Sequence, residues 1–182
     1  MNRNVPNALT LARILVIPVF AWFLFASHAD SRILISLIIF VLASFTDYLD
    51  GALARKYNII SNFGKIMDPL ADKLLVLTAL AGLTWLEPYR LPWLIFVLIF
   101  LREAVITILR EVYKKKGIIV AADKLGKFKT VTQMCGIIIA FSVWASGDPT
   151  QLFRLIVILW FWGVTVLTLI SGMNYLKPQK KG

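Results

Sequence analysis

The stretch Asp47-Tyr48-Leu49-Asp50-Gly51-Ala52-Leu53-Ala54-Arg55, resumed at Gly64-Lys65-Ile66-Met67-Asp68-Pro69-Leu70-Ala71-Asp72, decides how the rest of the chain is read. It sets four carboxylates, two glycines and an arginine between long runs of apolar residues. Carboxylates inside a membrane are costly and mark functional sites. Asp47 and Asp50 are three apart, and Asp68 and Asp72 four apart, so each pair shares a helix face. Carboxylates gathered this closely repel one another and take up protons unless cations neutralise them. An all-oxygen donor set with no Cys or His suits Mg2+ or Mn2+ rather than zinc. Two such ions could stabilise the attacking and leaving oxygens of a phosphate displacement.

Working outward, the flanking chain has the composition of a membrane protein. Of 182 residues, 59% are hydrophobic, and the mean hydropathy is +0.76. Several apolar runs reach about 18–25 residues, enough to cross a bilayer as helices. Helices and closed barrels are the structures that satisfy every backbone group in lipid, and the short alternating strands of a barrel are missing. The expected architecture is all-α and integral to the membrane. Six transmembrane helices are expected near 10–26, 32–55, 64–86, 91–113, 123–145 and 151–175, in a single domain covering 1–182. A short interfacial turn or helix over 2–10 precedes the first. That first run reads as a retained helix rather than a cleaved signal, since no Ala-x-Ala site follows it.

The net charge is +10, but the basic residues sit at helix ends, which points to topology and anionic head groups rather than nucleic acid. Under the six-span reading only Arg32, Arg90 and Arg154 fall on one side; the other Lys and Arg fall on the opposite side. That asymmetry puts both termini and all four aspartates at the cytoplasmic face. The lone cysteine, Cys135, excludes an internal disulfide and reads as a small buried or lipid-facing residue. His28 reads as solvated on the far side. The tryptophans at 22, 85, 93, 144, 160 and 162 read as interfacial or lipid-facing, and Gly163 and Gly172 as helix-packing positions.

Two readings of the aspartates compete. As helix caps and salt-bridge partners of Arg55, Lys56, Lys65 and Lys73 they would explain Asp68, near a helix start. They would not explain Asp47, about 20 Å into the second span. As a proton or cation relay of a transporter they should spread over several helices near the midplane; here they cluster at one face. Gly51 and Ala54 leave room for a flat group against the helix, Arg55 offers a fork to phosphate, and the start of the third helix at Gly64 favours anions.

The pattern Asp47-x2-Asp50-Gly51-x2-Ala54-Arg55-x8-Gly64-x3-Asp68-x3-Asp72 matches the signature of the CDP-alcohol phosphotransferase family in every fixed position. The resemblance implies six transmembrane helices, a homodimer, and transfer of a phosphatidyl or similar group from a CDP-linked donor to an alcohol with release of CMP. It implies Asp47, Asp50, Asp68 and Asp72 as ligands of two Mg2+ or Mn2+ ions, and Asp72 as the base for the acceptor hydroxyl. Asn7, Thr10, Asp50, Gly51, Ala54, Arg55, Ser61 and Gly64 are implied to bind the CDP donor.

Further stretches resemble the bacterial branch that makes phosphatidylglycerophosphate in the inner membrane. They are Val5-Pro6-Asn7-Ala8-Leu9-Thr10-Leu11-Ala12-Arg13, Leu101-Arg102-Glu103, Leu109-Arg110-Glu111 and Leu125-Gly126-Lys127-Phe128-Lys129-Thr130. The implied substrates are CDP-diacylglycerol and sn-glycerol 3-phosphate, with membrane phospholipid as a further partner. Arg102, Arg110 and Lys127 would bind the acceptor phosphate. Serine or inositol would not need so much positive charge; inositol phosphate would, and phosphatidylglycerol is a further candidate acceptor. Arg102, well inside the fourth span, needs an anionic partner, and Glu103 or Glu111 could supply part of it.

The charge asymmetry makes a direct prediction. A green fluorescent protein fused after Gly182 should fluoresce in a bacterial host, and alkaline phosphatase inserted at His28 should be active. The reverse pattern would invert the topology.

Overall fold

The computed structural model describes the backbone of residues 5–57, 62–116 and 124–176, and the side chains of 12, 14–46, 70–113, 116 and 125–173. Six helices follow one another: α1 (Val5–Phe25), α2 (Arg32–Tyr57), α3 (Asn62–Trp85), α4 (Trp93–Lys115), α5 (Lys124–Ser146) and α6 (Gln151–Leu176). Their bounds fall within a few residues of the expected spans, with one correction at the start. Residues from Val5 onward are not a separate interfacial piece but the first turns of α1. Pro6 is tolerated there because the first N–H groups of a helix have no partner within it.

The chain forms two compact units, Met1–Gly82 with Phe141–Asp148 and Leu83–Ala140 with Pro149–Gly182. In the first, α1 packs on α2. Phe20, Phe40 and Phe141, all fully buried, pack as tilted rings with centroids 6.0–6.5 Å apart. Gly82 of α3 admits Leu24 so closely that an added Cβ would lie 2.6 Å from Leu24 Cδ2. The hairpin between α1 and α2 is closed by local bonds. Ala26 and Ser27 donate to the Trp22 carbonyl, and Ile35 donates to Ser31, which opens α2.

In the second unit α4 packs on α6. Trp160 Nε1 donates to the Thr132 carbonyl, 3.2 Å away, and an added Cβ at Gly136 would lie 2.5 Å from that same nitrogen. A glycine on α5 is what lets the indole lie against it. The turn from α3 to α4 is tied by Leu91 N to the Leu83 carbonyl (3.0 Å). Arg90 there adopts φ 43°, with its guanidinium on Glu87 at 2.7 Å. At α6, Thr150 caps the start, accepting from Phe153 N through its hydroxyl and from Arg154 N through its carbonyl.

Segments Leu125–Ser146 and Gln151–Met173 are long and apolar enough to cross a membrane, and Ile14–Phe25 and Arg32–Thr46 are shorter apolar stretches. Apolar side chains also face outward: Leu152, Leu155, Leu159, Val166, Ile170 and Met173 on α6, and Leu34, Ile38, Leu42 and Phe45 on α2 are exposed. A chain with such faces belongs in lipid rather than water. Trp22, Trp85, Trp93 and Trp160 lie exposed as expected, Cys135 is exposed rather than buried, and His28 is exposed.

Tyr89, in the α3–α4 turn, is 3% exposed and donates to the Ala140 carbonyl at 2.8 Å. Burial pushes its phenol up to about 12, against a smaller opposing pull from Arg154. Below pH 10 the phenol is neutral whether the chain is folded or not. Between pH 10 and about 12 the unfolded chain gives up a proton that the folded one keeps, so this contribution to stability is lost as pH rises through that window. Spectrophotometric titration should show one of the five tyrosines ionising near pH 12, and Tyr89→Phe should remove that component at a cost of about 1 kcal/mol.

Candidate active site

Helix α2 runs unbroken through positions 47, 50, 51, 54 and 55, and α3 through 64, 68 and 72. Regular helix puts 47 and 50 one turn apart on α2, and 68 and 72 one turn apart on α3, as the spacing requires. Of the implied metal ligands, only Asp72 has a described side chain. It is half-buried, beside the buried Ala71 and one turn before the buried Val76, with Leu75 on the inward face and Leu70 and Leu74 exposed. The packed face of α3 thus sets the rotation of Asp72. The side chains of Asp47, Asp50, Gly51, Ala54, Arg55, Gly64 and Asp68 lie outside the described residues, as do those of Asn7, Thr10 and Ser61. Among described residues no three His, Cys, Asp or Glu gather as a metal site. The donor chemistry of the four aspartates, all oxygen and two per helix, suits a hard divalent cation.

A pocket of about 360 Å3 in the first unit is lined by Asp30, Arg32, Ile33, Leu34, Trp144 and Asp148. It sits at the start of α2, about 22 Å along that helix from position 47, and is therefore separate from the aspartates.

In the second unit the acceptor candidates divide. Arg110 and Lys127 are exposed. Arg102 is enclosed, its side chain 8% exposed. Its Nε donates to the Thr168 carbonyl at 3.0 Å, Nη2 to Ser171 Oγ at 2.5 Å and Nη1 to Glu103 Oε1 at 3.1 Å. The anionic partner is Glu103. The same Oε1 also accepts from Lys129 Nζ, and the Lys129 and Glu103 side chains are 6% and 12% exposed. Consecutive helical residues point about 100° apart, so Arg102 reaches α6 while Glu103 reaches α5.

Lys129 is the residue the sequence reading missed. It is two from Lys127, about 200° around the helix, so when one faces out the other faces in. The signal was available: Lys129 shares its face with Gln133 and Ile137, and all three are buried. The packing expectation for glycine holds at one position and fails at the other. Gly172 lies against Arg102, where an added Cβ would be 3.3 Å from Cγ and Nε. Gly163 has nothing within 4 Å, so it serves no packing within the described chain.

Residues 3–170 match the profile of the CDP-alcohol phosphatidyltransferase family. Two relatives are named CDP-diacylglycerol–glycerol-3-phosphate 3-phosphatidyltransferase. The one from Rickettsia felis is 36% identical over 181 residues, covering 100% of this chain and 98% of its own. The one from Bacillus subtilis is 39% identical over 188 residues, covering 97% and 95%. A third, from Mycobacterium tuberculosis, is named probable phosphatidylglycerophosphate synthase and is 37% identical over 175 residues, covering 95% and 80%. The chain belongs to the CDP-alcohol phosphatidyltransferase family. Membership sets the transporter reading aside.

The Gly172–Arg102 contact yields a paired prediction. Gly172→Val should push the guanidinium off α6 and lower the thermal midpoint in detergent, by the equivalent of about 1–3 kcal/mol for overpacking. Gly163→Val, with open space around it, should change stability far less.

Proposed function

We propose that this chain is the enzyme that transfers the phosphatidyl group from CDP-diacylglycerol to sn-glycerol 3-phosphate, giving phosphatidylglycerophosphate and CMP. The observation that carries the reading is the pair of full-length relatives, 36% and 39% identical, that bear the name of that enzyme. Support comes from the complete aspartate signature on two consecutive helices.

In this mechanism the donor's acyl chains stay in the bilayer and its cytidine diphosphate lies against the small residues Gly51, Ala54 and Gly64. Arg55 pairs with phosphate through its fork of donors. Asn7, Thr10 and Ser61 hold the donor by hydrogen bonds. Asp47, Asp50, Asp68 and Asp72 would hold Mg2+ or Mn2+, two ions by resemblance, which neutralise the diphosphate's charge. Arg102, Arg110 and Lys127 attract the phosphate of the acceptor, Arg110 and Lys127 as accessible cations and Arg102 from its anchored position. Asp72 accepts the proton of the sn-1 hydroxyl. The oxygen attacks the phosphorus next to diacylglycerol, a new P–O bond forms, the P–O bond to the CMP phosphate breaks, and CMP departs with the electron pair.

The same reading includes six spans, cytoplasmic termini, an active site on the cytoplasmic side of a bacterial inner membrane, and a homodimer. The lysines and arginines concentrated on that side support it.

The test is CMP release in detergent micelles with CDP-diacylglycerol, Mg2+ or Mn2+, and one acceptor at a time. Release should require glycerol 3-phosphate; release driven instead by phosphatidylglycerol, serine or inositol phosphate would overturn the acceptor. Asp72→Asn should keep the fold and lower turnover by about 10²- to 10⁴-fold, the range for loss of a general base. Near-normal turnover would remove Asp72 from that role.

A further inference from the structure

Glu103 stands out because one carboxylate oxygen holds cations from two helices. Arg102 Nη1 lies 3.1 Å from Oε1, and Lys129 Nζ of α5 bonds to the same atom. Arg102 carries the tie onward to α6 through Thr168 and Ser171. Three helices of the second unit are thus joined through two adjacent buried side chains of α4, Glu103 to α5 and Arg102 to α6. Removing one member of a buried ionic group leaves the others uncompensated and is strongly unfavourable.

The residues joined are neighbours of those assigned above to the acceptor. Lys127 is two residues from Lys129, about 3 Å along α5. Arg110 is two turns beyond Arg102, about 12 Å along α4. Whatever sets the rotation of α5 against α4 sets where Lys127 stands relative to Arg110. The apolar contacts of two helices tolerate small rotations; a carboxylate bonded to one lysine and one arginine has far less latitude.

We propose that Glu103 is a positioning residue for the acceptor. It ties α4 to α5 through Lys129, with the adjacent Arg102 holding the same carboxylate oxygen, and so keeps Lys127 and Arg110 at the separation that glycerol 3-phosphate requires. This rests on the proposed function above. Glu103 touches neither substrate and takes no proton; its effect is on acceptor binding.

The experiment is steady-state kinetics of the full chain in micelles, varying each substrate in turn, with thermal midpoints measured in parallel. Glu103→Gln should raise KM for glycerol 3-phosphate by about 10- to 100-fold, the scale of an ångström-level misplacement, and leave KM for CDP-diacylglycerol within about twofold. Glu103→Asp, which keeps the charge, should recover part of the loss. Lys129→Met leaves Glu103 paired with Arg102 and should fold even if Glu103→Gln does not; it should show the same acceptor-selective rise. Because both act through one tie, the double variant should be no worse than the poorer single one. An unchanged acceptor KM in Lys129→Met, equal effects on both substrates, or effects that multiply in the double variant would overturn the assignment. A wild-type chain whose CMP release ignores glycerol 3-phosphate would overturn the functional reading itself, and is seen before any variant is made.

Discussion

A charge carried into a low-dielectric interior must bring its partner with it, and the second unit is organised by that constraint. Arg102, Glu103 and Lys129 sit where water is largely excluded, with side chains 8%, 12% and 6% exposed. None of them could stand there alone at tolerable cost. Around them the chain supplies small and hydroxylated residues: Ser171 and the Thr168 carbonyl receive the guanidinium, and Gly172 leaves space for its stem. The apolar packing of α4 on α6 is shaped to a polar centre rather than interrupted by one.

The first unit is built on a different principle. Its core is aromatic, with Phe20, Phe40 and Phe141 in mutual contact, and the acidic signature positions lie along α2 and α3. Asp72 takes its orientation from the buried face of α3 formed by Ala71, Leu75 and Ala79. One unit thus carries the acidic signature residues and the other the cations assigned to the acceptor.

Much of this was legible in the sequence because the relevant signals are local. Apolar run length fixes helices in lipid, so the six elements emerge within a few residues of their bounds. Val5 to Leu9 was harder to place, because polar residues and Pro6 resemble a break while a first turn accepts both. The acidic signature could be read because spacing alone puts its carboxylates one turn apart. Lys129 was overlooked because it and Lys127 look alike in composition; burial separates them, and burial depends on which face α5 turns inward. Gly163 misled for the converse reason: a small residue in a membrane helix suggests a close neighbour, but only the fold says whether one is there. Glu103 was already a candidate partner for Arg102, yet its bond to Lys129 spans 26 positions, beyond any helical periodicity.

The threonines on the outward faces carry a consequence of another kind. Thr46 is exposed, Thr78 and Thr132 are half-buried, and each hydroxyl donates to the carbonyl four residues earlier, at 2.6, 2.7 and 2.9 Å. Their polarity is thus spent within their own helices. A two-tailed molecule drifting sideways through the bilayer meets hydrocarbon-like walls at these positions, with no hydroxyl soliciting a bond. At these three positions the helix surface offers a neighbouring hydrocarbon chain packing rather than a hydroxyl donor.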